Sequence, residues 1–236
     1  MSFAVQLCLY ALGLGLEVLV LAALLRGAYR RFPFVFAYVT ADFLTTVLEI
    51  PSYVAYYTGV QATQRSRASY FWQDEFILNA LVFLVVVSLV YSATAKMRSR
   101  RAARTLLLGA AVLVAGISFL VHYQSQLDVG HFTWANLWTR DLNFTSAILD
   151  LALWALLIAS PSRDPALLML SGGLGIQFTG EAIGASLRQL SIRHRSRATA
   201  YAGSMVTVVA DLVCLYVWWR TFAREPRALK AGNPKD

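Results

Sequence analysis

Seven residues of this sequence have the types and spacing to handle charge: Asp42, Glu49, Asp150, Gln177, Glu181, Arg188 and Asp211. Asp42 and Glu49 stand in V-T-A-D-F-L-T-T-V-L-E-I-P-S-Y-V (39–54), seven residues apart and therefore on one helical face. Gln177, Glu181 and Arg188 follow the same rule. Carboxylates gathered this way bind a cation, relay a proton or anchor a small polar ligand. An arginine at the edge gates such a site or balances Glu181. All seven lie within or beside apolar runs, which sharpens the question. A charged side chain facing lipid at mid-depth costs ~2.5–3.5 kcal/mol, so these groups turn inward. The structural alternative is a neutral acid that donates to a carbonyl, Ser or Thr and fixes helix packing.

The elements that must position them are seven apolar runs, at about 3–25, 34–57, 71–95, 105–121, 141–160, 165–187 and 199–222. Most reach the ~20 residues a helix needs to cross the hydrocarbon core. The chain is 58% hydrophobic and 14% charged, with a mean hydropathy of +0.55. That composition fits a polytopic membrane protein. No ten-residue alternation recurs, which argues against a transmembrane barrel. The expectation is an all-α bundle: one seven-span domain over 1–222 and a short basic tail, 223–236.

Polar stripes recur at helical spacing on six of the runs. Span one carries Gln6, Tyr10, Gly13 and Glu17; span two carries Tyr38, Asp42, Thr45, Thr46 and Glu49. Span three opens with Asp74 and Glu75, with Asn79 one turn on. Span five has Thr139, Asn143, Ser146 and Asp150, span six Gln177, Glu181, Gly184 and Arg188, and span seven Ser204, Thr207, Asp211 and Cys214. Span four has only Ser118 and belongs at the periphery. The outer acids, including Asp141 and Glu181, with Arg65, Arg67, Arg140 and Arg188, suggest a mixed-charge vestibule. Pro51 kinks span two in its outer half. The glycines of 171–186, with G-x-x-x-G at Gly180 and Gly184, permit either close helix packing or a hinge at a ligand.

The basic residues set the orientation. With the N-terminus outside and the C-terminus cytoplasmic, 14 of the 21 Lys and Arg lie inside. The basic run R-Q-L-S-I-R-H-R-S-R (188–197) then falls outside, against the trend. If span six only dipped into the membrane, that run would move inside and the tail outside, and the division would be 13 to 8. The first run lacks the basic start and the A-x-A-like site of a signal peptide, and reads as an N-out anchor. The formal charge of +8 predicts contact with anionic head groups on the cytoplasmic side, not with nucleic acid. Span four or the glycine-rich span six would be the surface for a homo-oligomer or a partner subunit.

Several chemistries are not written here. There is no phosphate-binding G-x-x-x-x-G-K-[ST], no C-x-x-C, H-E-x-x-H or G-x-S-x-G, and no G-x-G-D of intramembrane aspartyl proteases. The lysines, Lys96, Lys230 and Lys235, all lie outside the runs, so no retinal Schiff base is supported. The histidines lie in loops; His122, His131 and Asp128 share one and make a weak metal site. No cofactor is implied.

The stretch R-R-F-P-F-V-F-A-Y (30–38) that opens span two resembles a group of small bacterial multi-span proteins of similar length and hydropathy plan, known mainly as hypothetical reading frames. The resemblance implies a bacterial inner-membrane setting and supplies no activity. The expected function is non-enzymatic: a small carrier or sensor that binds a cation, proton or small polar ligand in a carboxylate-lined cavity. The alternatives are an intramembrane enzyme using Asp150 and Glu181 on a lipid-borne substrate, and a structural subunit of a membrane complex.

Overall fold

A computed structural model describes residues 3–57, 64–95, 101–125, 131–159 and 164–231. They form seven α-helices and, among the described residues, no strand: α1 Phe3–Leu25, α2 Pro33–Tyr57, α3 Gln64–Ala95, α4 Arg101–Ser125, α5 His131–Ala159, α6 Pro165–His194 and α7 Arg197–Ala231. Five of these carry stretches long and apolar enough to cross a membrane: Leu7–Leu25, Phe76–Thr94, Trp138–Ala159, Pro165–Ser191 and Arg197–Arg224. The chain is a helical membrane protein by length and composition. α2 and α4 contribute the shorter apolar stretches Pro33–Leu48 and Leu108–Val121. The helices outrun the apolar runs. α7 continues to Ala231, through the first part of the stretch expected as a tail.

The helix ends have local causes. α1 stops where Gly27 takes φ 130°, with its N–H closing on Leu24 O. A short 3-10 turn, Ala28–Arg30, leads to Pro33, which supplies the fixed φ of a first helical residue. Asp164 caps α6: its Oδ1 accepts the N–H of Ala166 at 3.2 Å, and Pro165 follows at the first position. α6 ends at Arg195, which sits in the left-handed region at φ 49°, and Ser196 N–H bonds back to Ser191 O. Ser196 Oγ then accepts from Thr199 N–H in the first turn of α7. Only Arg195 and Ser196 separate the two helices, which makes a tight antiparallel hairpin.

The chain divides into two compact units. The first is 1–31 with 154–236 and contains α1, α6 and α7. In it α7 packs along both α6 and α1. The α6–α7 seam is glycine-driven. A Cβ placed on Gly184 would lie 2.7 Å from Gly203 O, and one on Gly203 2.7 Å from Gly184 O. Gly180 meets Ala210, and Gly173 meets the indole of Trp218. Such close approach is what small residues allow in lipid, where burying apolar surface gives no advantage. Trp218 is fully buried, and its Nε1–H donates to Leu170 O at 3.1 Å. On α1, a Cβ placed on Gly13 would lie 3.8 Å from Leu212 of α7, and Glu17, Val20 and Leu24 are buried farther along α1. Arg31 Nη2 meets Asp164 Oδ2 at 2.6 Å, so the end of α1 and the start of α6 lie at one end of this unit.

The second unit is 32–153: α2, α3, α4 and most of α5. α3 packs against α2 and α4. Its core is Val35, Tyr38 and Val39 of α2, Val82, Val85, Val86, Leu89 and Val90 of α3, and Leu142, Leu149 and Leu153 of α5. α4 joins α5 through Trp138, whose Nε1–H donates to Ala115 O at 3.2 Å and whose ring contacts Phe76 and Phe119. The other sides of α4, including Val112, Leu113, Ile117, Leu120 and Val121, are exposed.

Candidate functional site

In the first unit the polar residues fall on a short axial stretch. The α6–α7 hairpin sets the register. Gly173 lies opposite Cys214 and Trp218, Gly180 opposite Val206 and Ala210, and Gly184 opposite Gly203 and Thr207. Interpolation puts Gln177 level with Asp211. α1 runs parallel to α7, because its end and the start of α6 are tied by Arg31 and Asp164. With Gly13 against Leu212, Glu17 stands one turn, ~6 Å, to one side of that level. Glu181 stands one turn to the other side. Glu17, Gln177, Asp211 and Glu181 thus occupy ~12 Å of depth on three packed helices.

Burial grades them. Glu17 is 4% exposed and Gln177 6%, whereas Asp211 and Glu181 are half-buried. Gln177 Nε2 donates to Glu181 Oε1 at 3.4 Å, which links the two polar residues of α6 across one turn. Arg188 is the residue expected to gate the site or balance Glu181. It is exposed, and its Nη1 donates to Thr207 Oγ1 of α7 at 3.1 Å. Thr207 in turn donates to Gly203 O. Arg188 thereby clasps the hairpin near its tip. The stretches Leu7–Leu25, 165–187 and 198–219 contain no Lys or Arg.

The second unit holds Asp42, Glu49 and Asp150. Asp150 is 3% exposed and shares a stripe with Thr139, Thr145 and the fully buried Ser146. On the opposite face of α5, Phe144, Ile148 and Leu151 are exposed. Asp42 is half-buried one turn from the buried Tyr38, while Leu44, Val47 and Leu48 face out. On both helices these polar residues turn inward among the apolar core residues, while the outward face named here is apolar. Glu49 lies on α2, but its side chain is outside the described residues, as are those of Asp74, Glu75, His122 and His131 and all of Asp128. The expected outer vestibule thus lies largely outside the described residues. Asp141 accepts a 2.7 Å hydrogen bond from Ser118 Oγ, so the single polar residue inside span four bonds to a carboxylate of α5.

Asp150 and Glu181, paired in the enzymatic reading, belong to different units. Among the described residues no group of three His, Cys, Asp or Glu side chains is placed to hold a metal ion. Cys8 is exposed and Cys214 buried, and the two do not form a disulfide. Two structurally engaged residues stood outside the seven candidates: Glu17, the most buried acid of the first unit among the described residues, noted only as part of a stripe, and Ser118, noted only as the polar residue of span four. Glu17 shows the inward helical spacing with Gly13 that could have marked it; Ser118 is a lone hydroxyl with no pattern. No family model matches this chain, and neither does any curated protein or solved structure.

Proposed function

We propose that this protein is a small carrier or sensor of the bacterial inner membrane that binds a cation or a proton between α1, α6 and α7. The observation that supports this reading is the concentration of Glu17, Gln177, Glu181 and Asp211 within ~12 Å of depth, at a level without Lys or Arg on these three helices. A protein that needs only helix adhesion achieves it with glycine and small residues, which the α6–α7 seam already supplies. Burying carboxylates beside that seam adds cost without adding adhesion, which is the mark of a functional group in a membrane. Glu17 and Asp211 serve as the charge-bearing ligands, and the Gln177–Glu181 pair supplies further oxygens.

The proposed topology has seven spans, the N-terminus outside and the C-terminus in the cytoplasm. The Arg31–Asp164 bridge is compatible with it, since the intervening chain must then cross the bilayer an even number of times, and the excess of Lys and Arg in the loops placed inside sets the orientation. Four crossings by α2 to α5 meet that condition. A second reading, a structural subunit whose acids fix packing, is favoured by the Ser118–Asp141 bond.

Thermal unfolding of the purified protein in neutral detergent, with sodium, potassium, magnesium, calcium and a pH series, separates the two. A ligand at 100 times its Kd adds ~2.7 kcal/mol, which for a chain of this size raises the midpoint by about 5–10 °C. Glu17→Gln and Asp211→Asn should abolish that rise. If neither cation nor pH shifts wild type differently from the two amides, the acids are packing elements and the carrier reading fails.

A further inference from the structure

The tip of the α6–α7 hairpin is a basic surface, and the charge-balancing role expected of Arg188 does not account for it. Between Glu181 and Asp211 the sequence contains Arg188, Arg193, His194, Arg195 and Arg197 and no acid. Arg188, His194, Arg195 and Arg197 are all exposed. Below this crown stands an exposed apolar collar: Ile183, Leu190 and Tyr201. The two layers fit the lipid boundary. The apolar stretch of α6, Pro165–Ser191, is 27 residues, or ~40 Å long, against ~30 Å of hydrocarbon core. Its last turns therefore emerge into the head-group layer. Arg188 bonds to Thr207 beneath the tip, and Arg195 and Arg197 flank the turn about two helical turns farther out.

From this layering we infer that the hairpin tip binds the phosphodiester head group of an anionic phospholipid in the leaflet it reaches. The charge complementarity is one-sided, since no carboxylate lies between Glu181 and Asp211 to compete with the phosphate. Arginine suits the role because its planar fork meets two phosphate oxygens together. Long stems let the guanidinium groups reach up while the collar stays in the acyl region. The basic run that opposes the positive-inside trend thus has an occupant of its own, independent of any ligand near Glu17 and Asp211.

The test is photolabelling of the full chain in phosphatidylcholine nanodiscs with a photoreactive phosphatidylglycerol, followed by mapping of the labelled peptides. Labelling should concentrate in 182–201 and be displaced by unlabelled phosphatidylglycerol. Each basic residue near an anionic surface contributes about fivefold in affinity, so Arg195→Gln with Arg197→Gln should raise the half-displacing mole fraction by roughly 25-fold. Arg195→Gly is the companion variant: glycine suits the positive φ of this position, so the turn is kept while about fivefold is lost. Equal labelling of 182–201 by a phosphatidylcholine analogue overturns the inference, as does an unchanged half-displacement in both variants. Displacement by inorganic phosphate alone also overturns it, by making the site one for a soluble anion.

Discussion

The α6–α7 seam makes a sharp prediction about single methyl groups. Adding one to Gly203 places a Cβ 2.7 Å from Gly184 O and 3.1 Å from the Arg188 nitrogen. Both are backbone atoms, so neither can rotate away, and the two helices must move apart. Overpacking of this kind costs about 1–3 kcal/mol, and rigid neighbours put Gly203→Ala toward the upper end. Gly172, on the same α6, has nothing within 4 Å of its Cβ position. Gly172→Ala therefore adds only helix propensity, worth up to ~1 kcal/mol in favour of the variant. At 2–4 °C per kcal/mol for a chain of this length, the two midpoints should lie on opposite sides of wild type and differ by about 5–15 °C. The assay is thermal unfolding of purified protein in one detergent, read by loss of monodisperse material on size exclusion. Gly203→Ala at or above the wild-type midpoint, with Gly172→Ala below it, would refute the register on which the depth of Gln177 and Asp211 rests.

Four further outcomes are expected. Asp164→Ala removes both the cap of α6 and the ion pair to a half-exposed Arg31, costing about 1–2 kcal/mol, whereas Asp164→Asn keeps the cap and costs less than ~1; paired thermal melts would show the order. Gly27→Ala, at φ 130°, should lose about 1–3 kcal/mol by the same measurement, because that conformation is built for glycine. Trp218→Ala should cost about 3–5 kcal/mol and Trp218→Phe less, the latter giving up the bond to Leu170 O while filling most of the space. Reporter fusions should place the residue 195 turn outside and the C-terminus in the cytoplasm, and a cytoplasmic signal from the turn would refute the seven-span topology.

Hydropathy located all seven helices because lipid makes the apolar run itself the signal. It missed their ends because a helix does not stop where the hydrocarbon stops. α3 begins at Gln64, and α7 runs on to Ala231 through Arg, Glu, Ala, Leu and Lys, which are good helix formers, and past Pro226. The stops that do occur, at Gly27 and Arg195, come from single positive φ values. Of these the glycine is readable from sequence, and an arginine in that role is not. The polar stripes were equally informative about direction: Tyr38 with Asp42, and Ser146 with Asp150, turn inward while Leu48 and Leu151 turn out.

Direction is not partnership, and the glycines of α6 show why. Along the sequence, Gly173, Gly180 and Gly184 fit a hinge as well as a seam, since both need a missing Cβ. The difference lies in what stands opposite, and that is decided by Trp218, Ala210 and Gly203, some twenty to forty-five residues away. α6 runs unbroken from Pro165 to His194, and its small-residue face is covered by α7 of the same chain. That face is then occupied within the chain itself. The same geometry explains why the polar residues of α6 sit where they do. Gln177 lies between Gly173 and Gly180, so the close approach that excludes lipid from the seam also holds its amide and the neighbouring Glu181 near the level of Asp211. Packing and polarity on α6 are therefore one design, and if the proposed cation site is real, a substitution that opens the seam at Gly203 should weaken cation binding together with stability.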